Sequence, residues 1–362
     1  MNDICHQWLE QLINMDGSDL HITTHAVPHI RVHGNIQPIP DAPVVDQRQM
    51  DKIVRSLLGD TGFSELQATH EWDGAQTLPT GHRIRINAYY QQGYLALAIR
   101  LLPDRFFLLD QLGLPINVLE QIVQMHAGLV LVTGATSSGK STTIASIVHA
   151  INKTRPCHIH TIEDPVEYRH TNIKAFVTQR EVGRDTASFG EALRRSMRED
   201  PDVIVIGEMR DLETMSAALT LAETGHLTFA TLHTSSAVQT ISRIISAYPA
   251  AQQAQIRIQL ATTLQHVICQ KLLPWDDGKG RSVAAEVLCV TPAVRAMIRD
   301  EKTHQINTAM QTGYEIGMRT MNGSITELMA KGKLSHKSAM TYSDDKTNIE
   351  VRGERGEGRR QG

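Results

Sequence analysis

The sequence predicts an α/β protein of two domains, the second built on a mainly parallel sheet. Three observations carry this expectation. At 362 residues the chain exceeds what a single hydrophobic core usually serves. From residue 129 onward, short apolar runs at 129–133, 158–162, 203–206 and 227–232 alternate with helical stretches that begin at Lys140, Ser188 and Asp211, the pattern of parallel strands joined by crossover helices. Val203, Ile204, Val205 and Ile206 form an unbroken apolar run, as in a strand covered on both faces.

Taken in order, Ile4, Trp8, Leu9, Leu12 and Ile13 recur at helical spacing and predict an amphipathic helix within 1–16, without the basic-then-apolar order of a secretory leader. Strands follow at 29–32, 83–90 and 94–101, the last two joined through Gln91-Gln92-Gly93. Over 83–88 the alternation puts Arg83, Arg85 and Asn87 on one face and Ile84, Ile86 and Ala88 on the other, so one face is expected basic and the other buried. Residues 1–101 therefore read as a small α/β domain, and 102–117, with Pro103, Gly113 and Pro115, as a connector. The second domain runs over 118–342 and closes in helices. Residues 343–362 are polar, Gly-rich and charged, too poor in apolar surface to offset chain entropy, and read as a disordered tail.

Composition excludes several functions. A formal net charge of -3 supplies no basic footprint for a nucleic-acid track, so no nucleic-acid partner is expected. No run approaches the roughly 18 to 20 apolar residues of a membrane span, so membrane association is expected only through partners. Cys5, Cys157, Cys269 and Cys289 are scattered, without the C-x-x-C pairing of a metal clamp, and read as reduced thiols. The histidines make no H-E-x-x-H or comparable zinc pattern.

The chemistry concentrates in the second domain. Gly134, Ala135, Thr136, Ser137, Ser138, Gly139, Lys140 and Ser141 match G-x-x-x-x-G-K-[ST], after an apolar strand and before Thr142-Thr143-Ile144-Ala145, which continues as helix. Such a loop turns its amides and the positive end of a helix toward phosphates, with Lys140 reaching the β and γ oxygens and the Ser141 hydroxyl facing Mg²⁺. Glu208, just after the strand 203–206, is placed to hold Mg²⁺, directly or through water, or to polarise the attacking water. Glu163 and Asp164, ahead of Pro165, end another strand and form a candidate water-activating pair. His233 closes the strand 227–232 on the edge expected to carry Lys140 and Glu208, whereas His226 opens it at the opposite end. Among the arginines, Arg194, Arg195 and Arg198 ride a helix expected to start in a capping box at Ser188. Arg83, Arg85 and Arg100 lie on the first domain, from which a basic strand face could supply an arginine to a terminal phosphate.

At these residues the chain resembles the type IV pilus retraction ATPases of the PilT type, within the secretion ATPase superfamily. The resemblance runs from Ser18-Asp19-Leu20-His21 to about Met340, through Arg83-Ile84-Arg85-Ile86-Asn87-Ala88, the Walker A loop, an Asp box at 161–168, a Walker B run at 200–211 and a His box at 225–234. The segment Ala293-Val294-Arg295-Ala296-Met297-Ile298-Arg299-Asp300 is similar to the retraction-class signature, and Gly317-Met318-Arg319-Thr320-Met321 to the segment after it. The chain lacks the four-cysteine zinc subdomain common in assembly and secretion members, which favours retraction. The resemblance implies a PAS-like N-terminal domain, a RecA-like ATPase domain and a cytoplasmic homohexamer binding ATP with Mg²⁺. Its implied partners are an inner-membrane pilus platform protein and a paralogous pilus ATPase. By the same analogy Glu163 and Glu208 are the water-activating and magnesium-linked acids, Thr142 joins the phosphate loop, His226 and His233 contact nucleotide or couple its state to the sheet, and Arg83, Arg85 and Arg100 complete the site. The sequence departs from the family at Ser137, where glycine is usual, and at Val294 and Asp300 in the signature.

Overall fold

The computed structural model describes residues 3–32, 34–103, 105–278, 280–343 and 346. The tail expected over 343–362 lies, apart from Ser343 and Lys346, outside the described residues. The chain divides between Arg105 and Phe106 into two compact units, each with its own sheet.

The first unit comprises α1 (Asp3–Asn14), β1 (Gly17–Thr23), β2 (His29–Val32), β3 (Asn35–Pro38), α2 (Gln47–Thr69), β4 (Glu71–Thr77), β5 (Arg83–Gln91) and β6 (Tyr94–Leu102). Its six strands pair antiparallel in the order β3-β2-β1-β6-β5-β4. Helix α1 sinks Trp8, Leu9 and Leu12, as its periodicity predicts, and α2 adds Met50, Ile53, Val54, Leu57, Phe63 and Leu66 to the same core. The start of α2 is set by a reciprocal box: Asp46 accepts from the Gln49 amide while the Gln49 side chain accepts from the Asp46 amide. Gly59, at φ +69°, breaks it into two limbs.

Strand β5 departs from its expected two faces. Ile84, Ile86 and Ala88 are fully buried as the alternation requires, but Arg83 is only 7% exposed. Arg85, further along the strand, keeps the partial exposure expected of the basic face.

The second unit opens with a 3₁₀ turn at Leu109–Leu112. It continues through α3 (Ile116–Gln124), β7 (Gly128–Thr133), α4 (Lys140–Thr154), β8 (His158–Glu163), β9 (Phe176–Glu181), α5 (Phe189–Ser196), β10 (Val203–Ile206), α6 (Leu212–Glu223), β11 (Leu227–Leu232), α7 (Ala237–Ser246), α8 (Ala250–Thr263), β12 (Leu264–Pro274) and β13 (Arg281–Cys289). Helices α9 (Pro292–Arg299), α10 (Ile306–Thr312), α11 (Met321–Ala330) and α12 (His336–Tyr342) close it. The seven strands run β13-β12-β7-β11-β10-β8-β9, all neighbours parallel except the β12–β13 hairpin at one edge. Strands β7, β10 and β11 are buried along their whole length, which explains their unbroken apolar composition.

Residues 102–117 are more structured than a connector. From Phe106 they belong to the second unit, where Leu112 and Leu114 are buried in its core. The prolines and glycine turn the chain, while the leucines between them anchor it. The capping box expected on α5 is half formed: Ser188 accepts from the Glu191 amide, but the Glu191 carboxylate turns to Arg194 and Arg195.

Candidate active site

Parallel pairing brings four strand ends to one edge. Ile206 pairs with Ile162 on one side and Ala230 on the other, and Leu232 with Thr133. The segments that leave β7, β8, β10 and β11 therefore emerge together, carrying the loop 134–141, the acids 163–167, Glu208 and His233.

The loop needs its glycines at two points. Gly134 lies at φ +140°, and a Cβ there would fall 2.3 Å from the Gln270 carbonyl oxygen of β12. Gly139, at φ +94°, is the cap residue of α4 and has open space on the side a Cβ would take. Ser137 also sits left-handed, at φ +63°, a conformation glycine adopts without cost and serine does not. The Ser137 departure thus places backbone strain in the middle of the loop. Lys140 Nζ donates to the Gly134 and Ala135 carbonyls at 2.8 and 2.9 Å, so the ammonium lies over the loop's own backbone. Burial lowers its pKa, against the opposing charges of Glu208 and Glu167.

Glu208 is held from both sides. The Gly207 amide donates to Ile162 and the Met209 amide to Thr231, tying the residues around it to β8 and β11. A Cβ on Gly207 would crowd the Ile162 carbonyl at 3.2 Å and the Glu163 Cα at 3.3 Å, so glycine permits this close approach. The Glu208 carboxylate pairs with Arg210 at 2.9 Å and His233 at 3.0 Å. Burial raises its pKa, but the Arg210 and His233 contacts outweigh that and hold it below the usual carboxylate range.

Glu163 lies deeper, in a pocket it shares with Ser141, Thr161, Tyr168, His170, Gly207 and apolar residues of α4. Its Oε1 accepts from the Thr161 hydroxyl at 2.7 Å and Gln179 Nε2 at 3.2 Å, and its Oε2 from the Glu167 amide at 3.4 Å. Burial pushes its pKa up to about 7, more than these hydrogen bonds pull it down. A carboxylate poised near neutral pH and fixed by three donors is suited to taking a proton from water.

Other predicted residues lie elsewhere. His226 stands just before the amino end of β11, roughly 20 Å of strand from the loop edge by the usual rise per residue. Its Nδ1 faces the Leu221 carbonyl and the Thr224 hydroxyl. Within one chain His226 therefore does not reach the loop, because a parallel strand separates its two ends. Arg83, Arg85 and Arg100 belong to the first unit, where Arg100 and Arg85 are cross-strand partners. Arg100 Nε donates to the buried Asp19 carboxylate at 2.7 Å, and Arg85 faces Asp73 at 3.9 Å. Arg194 and Arg195 pair with Glu191 on the surface of α5.

Sequence reasoning missed Arg210, Thr161 and Gln179 as partners of the two acids, and Tyr168, whose hydroxyl donates to Thr142 at 2.9 Å. Arg210 and Thr161 lie within two residues of an acid in sequence. Gln179 gave no such signal, since only the pairing of β9 with β8 brings it near.

Comparison with known proteins decides the lineage. The family model of the type II/IV secretion system proteins matches residues 83–341. This chain belongs to that family. It is 42% identical to the Pseudomonas aeruginosa type IV pilus retraction ATPase PilT, over 89% of this chain and 93% of that one. It is also 42% identical to a twitching motility protein of Neisseria gonorrhoeae, over 86% of this chain and 83% of that one. The crystal structure of the pilus retraction motor PilT with bound ADP superposes with a TM-score of 0.86, covering 94% of this chain and 97% of that chain at 42% identity. The likeness to the PilT structure fits an N-terminal domain followed by a RecA-like ATPase domain.

Proposed function

We infer that this chain is an ATP-hydrolysing motor that retracts a type IV pilus. The carrying observation is the single sheet edge on which the phosphate loop, Glu163 and Glu208 meet, in a chain similar over nearly its whole length to a pilus retraction ATPase. In this reading the loop amides of 134–142 and Lys140 hold the phosphates, and Glu163 accepts a proton from the attacking water. Glu208, braced by Arg210 and His233, orients that water from the neighbouring strand. Such a constellation supplies positioning and electrostatic stabilisation, which is most of what phosphoryl transfer asks of a protein.

Magnesium at this site would supply charge neutralisation for the phosphates. The Ser141 hydroxyl and the Glu208 carboxylate are hard oxygen donors of the kind it takes. Both Glu208 oxygens are engaged, by Arg210 and by His233, so this carboxylate suits a metal-bound water better than direct ligation. Arg83, only 7% exposed, is assigned a structural part. His226 is assigned to communication between the strand and its surroundings. The working form is a homohexamer at the cytoplasmic face of the inner membrane, reached through a platform protein, with a paralogous pilus ATPase as a further partner. Among the described residues no helix is long and apolar enough to cross a membrane.

Two experiments test this. The purified assembly should hydrolyse ATP and the Lys140→Ala variant should not; wild-type turnover by Lys140→Ala would refute the site. A deletion strain should carry excess surface pili if the motor retracts them, and none if it assembles them.

A further inference from the structure

Gln179 lies on β9 directly across from Thr161 of β8. Its side-chain amide is tied at both ends to one short stretch of backbone. Its Oε1 accepts from the His170 amide at 2.7 Å, and its Nε2 donates to the Tyr168 carbonyl at 2.8 Å. These two contacts fix which end of the amide is which, since the flipped orientation would set donor against donor and acceptor against acceptor. The Nε2 group has a second hydrogen, and it is aimed at Glu163 Oε1, 3.2 Å away.

Glu163 Oε1 thus receives two side-chain donors, Thr161 from its own strand and Gln179 from the next. Among the described residues its Oε2 receives only the long contact from the Glu167 amide. The carboxylate is pinned through one oxygen and left available through the other. We propose that Gln179 is a positioning residue for ATP hydrolysis, holding Glu163 so that Oε2 presents its lone pair to the attacking water. This rests on the reading of Glu163 as the water-activating acid.

The same donor favours the ionised carboxylate, so its loss has a pH signature. The ionisable groups around Glu163 are Asp164, Glu167, Tyr168 and His170 on the segment that follows it and Glu181 on β9. Tyr168 and His170 line its pocket, and Glu181 pairs with it across the β8–β9 ladder. Substituting Gln179 by Met changes the charge of none of these groups, but it also releases the backbone at Tyr168 and His170 that the amide holds. Glu167 already opposes ionisation of Glu163, and Glu181 is occupied in accepting from the Val166 amide.

The test is steady-state ATP hydrolysis by the full-length assembly across pH, comparing wild type with Gln179→Met, which keeps the length of the side chain and removes its hydrogen bonds. Nucleotide affinity is followed with a fluorescent ATP analogue. Gln179→Met should lose about 10-fold or more in kcat with KM for ATP changed less than about twofold, the pattern of a lost transition-state contribution. The acid limb of its kcat profile should move to higher pH, with part of the activity returning in alkali. Gln179→Glu, equal in shape and opposing the carboxylate, should move the limb further; it serves as the second variant if Gln179→Met does not fold. An unshifted limb in the folded variants, or wild-type kcat, overturns the proposal. Glu163→Gln separates the two ideas: an active Glu163→Gln sinks the reading of Glu163 and this proposal with it. An inactive Glu163→Gln beside a fully active Gln179→Met sinks the proposal alone.

Discussion

His233 Nε2 lies 3.0 Å from Glu208 Oε1, joining the ends of two adjacent parallel strands. With Arg210 on the other oxygen, the histidine fixes the plane of the carboxylate. A charge-assisted hydrogen bond of this kind contributes roughly 1.5–3 kcal/mol, so His233→Ala should lower kcat by about 10- to 100-fold if that energy is realised in the transition state. KM for ATP should change little, and steady-state kinetics checks both.

Glu208 itself gives a pH dependence. Its folded-state pKa is lowered, so its contribution to stability is fully present above the ordinary carboxylate value and is lost as pH falls through the folded value. Thermal melts at neutral pH and under acid conditions should show a smaller acid destabilisation in Glu208→Gln than in the wild type.

Glu163 has the opposite sign. Its pKa is raised from 4.5 to about 7, so the folded chain favours the protonated acid and loses that advantage as pH rises from about 4.5 through 7. Glu163→Gln should therefore stabilise the protein at pH 8, by about 1–3 kcal/mol, while removing most of its turnover. A melting temperature for Glu163→Gln at or below wild type at that pH contradicts the burial argument.

Ser137, at φ +63°, carries strain within the phosphate loop. Ser137→Gly should relieve the left-handed penalty of about 1–2 kcal/mol, offset by the extra unfolded-state freedom of glycine, about 0.4–1 kcal/mol. A small net gain is expected. Denaturant unfolding measures it, and a clear loss of stability would show that the serine side chain contributes something the backbone geometry does not reveal.

His226 makes its contacts with Leu221 and Thr224 at the far end of β11. His226→Ala should cost about 0.5–1.5 kcal/mol of stability, the usual net worth of a hydrogen bond. Its affinity for a fluorescent ATP analogue, measured under conditions that keep it folded, should stay at the wild-type value.

The α/β class, the phosphate loop and the acids at the ends of two strands are legible in the sequence, because each is written in consecutive residues. Apolar runs mark buried strands, Gly134 marks backbone that a side chain would obstruct and Gly139 a left-handed turn, Glu163 closes its strand and Glu208 follows its own by two positions. Parallel order then implied that these ends share an edge. Tertiary structure alone decided what surrounds the acids. Gln179 reaches Glu163 through strand pairing across sixteen positions of sequence. Arg83, which alternation placed on a basic face, is buried by packing that a period of two cannot encode. The residues 102–117 read as a connector by their prolines, yet their leucines fill the core of the second unit, because burial depends on which surface lies opposite and local sequence does not specify that surface.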